Sequence, residues 1–306
     1  MNIEINRINT EAENNPAEFV RNTNQAYVYQ LERIAENIVK NKEQKPVILL
    51  SGPSGSGKTT TALMLADMLT EKGCKTHTLS MDNYFCPLTE EERKLSVLGK
   101  IDLESPLRVD SELLSRQIKD IADCVSVDIP KYNFATSKRE ASEMTLKREK
   151  GELVIFEGIH ALNPDVITTP ESEVCKLYVS VRTRITCNNI VLHPSKVRLL
   201  RRMIRDSLFR QRSVRETMNM FQSVENGENK YIMPYKHRSD YDIDTFMAYE
   251  LNVYKNDLLW QLREMTDIPE LEDVTKVLEN SYSINRSDIT SDSLICEFVG
   301  NGKYNY

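Results

Sequence analysis

The sequence predicts an α/β fold of three layers, α/β/α, in which helices cover both faces of a parallel sheet. Two continuous apolar runs, residues 47–50 and 153–156, are typical of strands that are buried on both faces. Between such runs, apolar residues recur with helical spacing. Strands that alternate with helices in this way favour a doubly wound parallel sheet.

The other elements continue this alternation along the chain. Helices are predicted from apolar residues three and four positions apart, and strands from short apolar runs. In chain order the predicted segments are helix 19–39, strand 47–50, helix 59–70, strand 76–81, helix 111–122, a short strand or loop 125–132, strands 153–156 and 177–181, a basic helix 195–212 and helix 246–263.

Composition and charge exclude several functional classes. The chain has 40 Lys and Arg against 46 Asp and Glu, a net charge of −6, which disfavours a general nucleic-acid coat. Its apolar runs fall short of the roughly 20 residues that a membrane helix needs, and residues 1–15 lack the pattern of a signal peptide. The six cysteines are scattered, without a Cys-x-x-Cys pair. We therefore expect a cytoplasmic protein with neither a membrane span nor a structural metal site.

A glycine-rich segment lies between strand 47–50 and helix 59–70. Residues 52–59 match the pattern G-x-x-x-x-G-K-[ST], whose backbone N–H groups bind phosphate oxygens at a helix N-terminus. Lys58 is expected to reach the β- and γ-phosphates, and the Thr59 hydroxyl to bind Mg²⁺. The sequence therefore predicts a fold of the P-loop NTPase type. The predicted nucleotide-binding residues are Gly52, Ser54, Gly55, Ser56, Gly57, Lys58, Thr59 and Thr60.

Two carboxylates follow predicted strands, at the edge where ligands of parallel sheets bind. Asp82 comes directly after strand 76–81, where it could accept the proton of an attacking hydroxyl. Glu157 ends strand 153–156, a position from which a carboxylate can hold Mg²⁺ or its waters. An ATPase could place a catalytic glutamate there too, so Glu157 alone does not distinguish transfer to water from transfer to another molecule.

Residues 196–215 concentrate positive charge, with eight basic residues against the single acid Asp206. Spacings of three and four place a group of these arginines on one helix face: Arg198, Arg201, Arg202 and Arg205. Such a face suits a basic helical lid that closes over transferring phosphates. The alternative is a solvated or RNA-binding face.

These segments together resemble the uridine kinase and phosphoribulokinase family of P-loop kinases, and more closely the bacterial uridine kinase-like nucleoside kinases. The resemblance runs from about residue 47 to residue 242. It implies a kinase that uses ATP and Mg²⁺. We expect a kinase domain at 46–265, with its lid at about 195–215, between an N-terminal helical extension, 1–45, and a C-terminal helical or irregular tail, 266–306.

The resemblance also implies roles for individual residues. The segment 80–85 is similar to the one that carries the family's general base for a sugar 5′-hydroxyl, and 154–162 to the one that carries its metal-binding glutamate. Thr59 and Glu157 are the implied metal ligands. The implied catalytic residues are Asp82, Lys58, Arg201 and Arg205. The implied substrate-binding residues are Asp102 and Glu104 for the ribose hydroxyls, Tyr132 and Phe134 for the base, and also Tyr84, Arg198 and Arg210.

The predicted reaction is transfer of the γ-phosphoryl group of ATP to the 5′-hydroxyl of a nucleoside, with uridine or cytidine first. Uridine-cytidine kinases place a pyrimidine-reading histidine where Ser137 or Lys138 lies here. A phosphoribulokinase-like or pantothenate-kinase-like acceptor is the alternative within the kinases. Lys131, Lys138 and Arg139 keep open an acceptor that already carries a phosphate. A nucleotide-dependent RNA-binding switch is the alternative from another class. We expect a small nucleoside or sugar-bearing partner, neither a membrane nor nucleic acid; a homo-oligomer stays open.

Overall fold

The chain folds around a central parallel sheet. A computed structural model describes residues 1–97 and 101–305. The strands are β1 (Asn2–Glu4), β2 (Val47–Ser51), β3 (Thr76–Ser80), β4 (Val127–Asn133), β5 (Lys138–Leu146), β6 (Leu153–Glu157), β7 (Val174–Ser180), β8 (Arg184–Cys187), β9 (Ile190–Leu192) and β10 (Tyr241–Asp244). The α-helices are α1 (Ile5–Asn14), α2 (Pro16–Asn41), α3 (Lys58–Glu71), α4 (Glu90–Val97), α5 (Ser111–Ala122), α6 (Pro194–Phe209), α7 (Val214–Tyr231), α8 (Glu250–Glu264), α9 (Glu272–Glu279) and α10 (Cys296–Val299).

The central sheet has the strand order β10–β7–β2–β6–β3, and its neighbouring strands run parallel. Side chains of β2 alternate between two cores. Ile48 and Leu50 pack with α2, α3, α6 and α8, whereas Val47 and Leu49 pack with α5 on the other face. Because both faces are covered, β2 carries a continuous apolar run. The predicted three-layer α/β/α fold of the P-loop type is therefore confirmed.

The basic helix is shorter than the predicted segment 195–212. It corresponds to α6, which follows the N-cap residue His193 and ends at Phe209. The chain then leaves the helix through Gln211, whose φ is +54°, and α7 begins behind a capping box. Arg210 and Arg212 therefore lie in the connection between α6 and α7.

Several parts of the fold have no counterpart among the predicted elements. They include α4, α7, the edge strand β10, the second strand of the antiparallel β4–β5 hairpin, and a small sheet of order β1–β8–β9. The small sheet pairs the first strand of the chain with residues more than 180 positions away. Such long-range pairing leaves no local pattern in the sequence.

The C-terminal segment packs against the phosphate-binding half of the molecule. Leu294, Ile295 and Phe298 are at most 1% exposed and belong to the same hydrophobic core as α2, α3 and α6. The segment 293–299 thereby lies next to the start of α3.

The described helices, within 1–97 and 101–305, include none with the length and apolar character needed to cross a membrane.

Candidate active site

The loop 52–57 joins β2 to α3 and depends on its glycines. Gly55 and Gly57 have φ values of +73° and +85°, in the left-handed region that favours glycine. A Cβ atom at Gly52 would collide with the carbonyl oxygen of Val179. The Ser56 hydroxyl is buried without a hydrogen-bond partner among the described residues. A buried donor without a partner, next to a helix N-terminus, fits a loop that binds phosphate oxygens.

A cleft of ≈ 700 Å³ opens in front of this loop, between α6 and the β4–β5 hairpin. It brings together most of the residues that the sequence nominated. The nominated residues that line it are Ser54, Gly55, Gly57, Lys58, Thr59, Asp82, Glu104, Tyr132, Phe134, Glu157, Arg205 and Arg210. Gly52, Ser56 and Thr60 belong to the loop and to the first turn of α3, whereas Tyr84, Asp102, Arg198 and Arg201 lie outside the cleft.

Asp82 and Glu157 lie at the carboxyl ends of adjacent strands, where Ser80 pairs with Glu157. Burial raises the pKa of Glu157 to about 7; the charge of Lys58 lowers this pKa and the Asp82 carboxylate raises it. Loss of water contact also raises the pKa of Asp82, against the opposing charges of Lys58 and Arg210. A cation bound beside two such carboxyl groups would stabilise their ionised forms.

The residues that fit Mg²⁺ are Thr59 and Glu157, which line the cleft together. In the part of the chain that the structure describes, no cluster of three or more His, Cys, Asp or Glu could hold a metal by itself. In kinases, Mg²⁺ is usually bound by one or two carboxylates of the protein, and phosphates and water complete its coordination shell.

Arginines of α6 support the phosphate loop from behind. Arg198 donates to the Ser54 carbonyl at 3.1 Å, and Arg201 to the Gly55 carbonyl at 3.2 Å. Arg202 donates to the Ser54 hydroxyl. The face that the sequence predicts as a lid is therefore, in part, a fixed support for the loop.

The roles predicted for two of the nominated arginines do not agree with their surroundings. Arg201 is fully buried, and its Nε and Nη2 donate to the Glu250 carboxylate at 2.6 and 2.9 Å. Arg198 is 4% exposed and donates to Glu228 at 2.6 Å. Because buried carboxylates and loop carbonyls engage both guanidinium groups, the predicted catalytic role of Arg201 and the substrate role of Arg198 are replaced by structural ones.

The remaining arginines concentrate positive charge on the side of the cleft formed by α6 and the connection to α7. Arg202, Arg205, Arg210 and Arg212 line it, and the buried Asp206 lies within 3.4–3.9 Å of the last three. Burial lowers the pKa of Arg202 to about 10, and the adjacent Arg205 lowers it too. On this side of the cleft the single Asp206 carboxylate accompanies four guanidinium groups, which leaves positive charge that suits transferring phosphates.

Tyr84, nominated for substrate, lies in the core instead. It is fully buried, and its hydroxyl donates to Gln117 Oε1 at 2.7 Å. The cause is local, because Met81–Tyr84 form a 3₁₀ turn that directs Tyr84 inward, while the next residue, Phe85, lines the cleft. Phe85 is not among the residues that the sequence nominated.

An aromatic cluster forms one wall of the cleft. The rings of Phe85, Tyr132 and Phe134 lie edge to face, with centroids 5.1–5.9 Å apart. Arg108, which is also not among the nominated residues, donates to the Tyr132 hydroxyl at 3.3 Å. Phe134 is 62% exposed, so a planar ligand can reach its ring.

The acidic pair nominated for sugar hydroxyls is divided. Glu104 lines the cleft, and burial raises its pKa. Asp102 accepts a hydrogen bond from the Tyr231 hydroxyl at 2.8 Å and is not among the residues that line the cleft, so its contact with substrate stays a prediction. The unpredicted helix α7 holds this segment, since a Cβ at Gly227 would collide with the Glu104 side chain.

Lys131, Lys138 and Arg139 are the basic residues that could bind a phosphorylated acceptor. Two of them form ion pairs and the third is exposed. Lys131 pairs with Glu143 at 2.8 Å, and Arg139 with Asp110 at 3.1 Å. Lys138 is exposed. Ser137 lines the cleft, and the described lining residues include no histidine.

Comparison with known proteins agrees with this geometry. The model of the phosphoribulokinase/uridine kinase family matches residues 47–251, about two thirds of the chain. The uridine kinase of Lactobacillus johnsonii is 29% identical over 203 residues, which are 65% of this chain and 86% of that protein. Uridine-cytidine kinase 2-B of Danio rerio is 27% identical over 200 residues, 63% of this chain and 70% of that protein.

Solved structures show the same fold. A Silicibacter sp. TM1040 protein, provisionally named a fructose transport system kinase, matches with a TM-score of 0.54 and 18% identity, covering 69% of this chain and 98% of that one. YFH7 from Saccharomyces cerevisiae matches with a TM-score of 0.50 and 12% identity, covering 70% and 98%. Since the family model spans the phosphate loop, both edge carboxylates and α6, the chain belongs to the phosphoribulokinase/uridine kinase family and is an ATP-dependent kinase.

Proposed function

We propose that the chain transfers the γ-phosphoryl group of Mg²⁺-ATP to the 5′-hydroxyl of a nucleoside, with uridine and cytidine as first candidates. The observation that carries this proposal is that Lys58, Asp82 and the aromatic cluster face one cleft. A triphosphate and a planar acceptor can therefore share the space that contains the carboxylate. The relatives named uridine kinase and uridine-cytidine kinase support a pyrimidine nucleoside.

In the proposed mechanism, Asp82 accepts the proton of the acceptor hydroxyl while its oxygen forms the new bond to the γ-phosphorus. The bond from that phosphorus to the β–γ bridging oxygen breaks, and ADP leaves. Lys58, Arg205 and Arg210 stabilise the charge on the transferring group. Mg²⁺, held by Thr59 and Glu157, would neutralise charge on the β- and γ-phosphates.

In this proposal the acceptor is held by the aromatic cluster and by Glu104. Tyr132 and Phe134 offer ring faces or edges to a base, and Glu104 offers a carboxylate to the ribose hydroxyls. Phosphoryl transfer asks little covalent chemistry of the protein, so this positioning supplies much of the rate.

The proposal is tested by coupled ADP release with Mg²⁺-ATP and a panel of acceptors. The panel contains uridine, cytidine, adenosine, ribose, ribulose 5-phosphate and pantothenate. We expect the pyrimidine nucleosides to raise the rate most. A larger response to ribulose 5-phosphate or pantothenate would assign another acceptor class, and a rate that no acceptor raises would contradict the proposal.

Removing an exposed ring from the aromatic cluster should weaken acceptor binding. Phe134→Ala is expected to raise the KM for the nucleoside by about 5–160-fold, since base–aromatic stacking is worth roughly 1–3 kcal/mol per base. The KM for ATP should stay close to its original value. Tyr29→Ala, which removes a 60% exposed ring from α2, is the matched control. Equal changes in both KM values would argue against base stacking on Phe134.

A further inference from the structure

A carboxylate from the C-terminal segment lies where a phosphate loop binds phosphate. Glu297 Oε2 accepts hydrogen bonds from the Thr60 backbone N–H at 3.2 Å and from the Thr60 hydroxyl at 2.7 Å. Glu297 is 8% exposed and lines the same cleft as Lys58 and Thr59. The two bonded residues are 237 positions apart, so the contact has no local signal in the sequence.

The first turn of α3 can bind the carboxylate of Glu297 because its own sequence provides no acidic cap. The N-cap is Gly57, which has no side chain, and the turn that follows, residues 58–61, contains no acid. The first N–H groups of a helix lack intrahelical partners. In a phosphate loop these groups, together with nearby hydroxyls, bind the phosphates of the nucleotide. Glu297 therefore supplies the negative charge that a phosphate would supply.

The chain around Glu297 is fixed, while its carboxylate is at the end of a rotatable side chain. Leu294 carbons lie 3.1 Å from where a Cβ of Gly57 would stand, and the Arg201 guanidinium lies 5.1 Å from the centre of the Phe298 ring. Both apolar side chains are at most 1% exposed. Rotation about the Glu297 side-chain bonds can withdraw the carboxylate from Thr60 while these buried contacts remain.

We infer that Glu297 and a nucleotide phosphate compete for Thr60, so that the C-terminal segment lowers the affinity of the loop for ATP. Two anions cannot accept the same N–H and hydroxyl bonds, and they repel each other at that distance. In the nucleotide-free enzyme Glu297 keeps the first turn of α3 capped. ATP binding releases this carboxylate, which makes the tail part of the nucleotide site.

This inference deepens the proposed function and rests only on its nucleotide-binding half, not on the acceptor. Calorimetric titration of the full chain with Mg²⁺-ATP therefore tests it without any turnover. Glu297→Gln keeps an amide oxygen for Thr60 but removes the charge, and we expect it to bind ATP about 10-fold more tightly, the scale of one hydrogen bond to a charged group. Glu264→Gln makes the same charge change at an exposed position of α8 and should bind ATP like the original protein.

A second variant separates competition from simple support of the loop. Glu297→Ala removes the competitor and the cap together. Competition predicts that it also binds ATP more tightly, whereas a supporting role alone predicts weaker binding. Unchanged or weaker binding by Glu297→Gln would overturn the inference. Absence of ATP binding by the unmodified chain would instead contradict the proposed function, so the two failures are distinguishable.

Discussion

Replacing Asp82 with asparagine is expected to lower kcat by about 10²–10⁴-fold, the usual contribution of a positioned general base. Asparagine has nearly the same shape but cannot accept the hydroxyl proton. Asp82 lies in the cleft beside the charges of Lys58 and Arg210. Removing its negative charge leaves those cations free to attract phosphates, so the Kd for ATP should stay the same or fall. Steady-state kinetics and calorimetric titration of ATP measure the two effects separately.

Asp123→Asn is the control for this substitution, since Asp123 is an exposed residue at the C-cap of α5. It should leave both quantities unchanged. Parallel losses in kcat and ATP affinity for Asp82→Asn would contradict the role as base. Such a result would point to a carboxylate that binds the metal–nucleotide complex.

Replacing Arg201 with methionine is expected to lower the free energy of unfolding by about 3–5 kcal/mol, because it leaves a buried carboxylate without its cation. Arg201 and Glu250 are both fully buried and joined by two hydrogen bonds. The substitution also removes the donor to the Gly55 carbonyl. Denaturant unfolding of the two proteins measures the loss.

Two further variants show whether the loss comes from the buried pair. Adding Glu250→Leu to Arg201→Met removes the stranded charge and should recover part of the stability. Arg210→Met, on a half-exposed cleft arginine, should cost under about 1 kcal/mol of stability while lowering turnover. A stable Arg201→Met protein with a large loss of turnover would restore Arg201 to the lid that its spacing predicts.

The features that could be predicted from the sequence are those with a local pattern: the buried strands, the phosphate loop and the two carboxylates that follow strands. The strands β2 and β6 are buried along their whole length, and each carries a continuous apolar run that the sequence shows directly. The phosphate loop follows β2 directly, and its Gly55 and Gly57 occupy conformations that favour glycine. Asp82 and Glu157 could be nominated because they follow predicted strands whose carboxyl ends meet at one edge.

The remaining features depend on contacts that spacing does not encode. Arginines three and four apart share a helix face, but only the fold shows that Glu250, 49 positions from Arg201, is buried against it. The choice between Tyr84 and Phe85 depends on a single 3₁₀ turn. Glu297 reaches the loop from a segment whose own pattern indicates only a packed tail.

The most direct test of the central claim is identification of the phosphorylated product by ³¹P NMR. The protein is incubated with Mg²⁺-ATP and uridine, and the resonances of ADP, inorganic phosphate and phosphomonoester are followed together. We expect a phosphomonoester on the 5′-oxygen of uridine that forms in equal amount with ADP and is nearly absent with Asp82→Asn. Release of inorganic phosphate at a rate that uridine does not change, without any phosphomonoester, would contradict it.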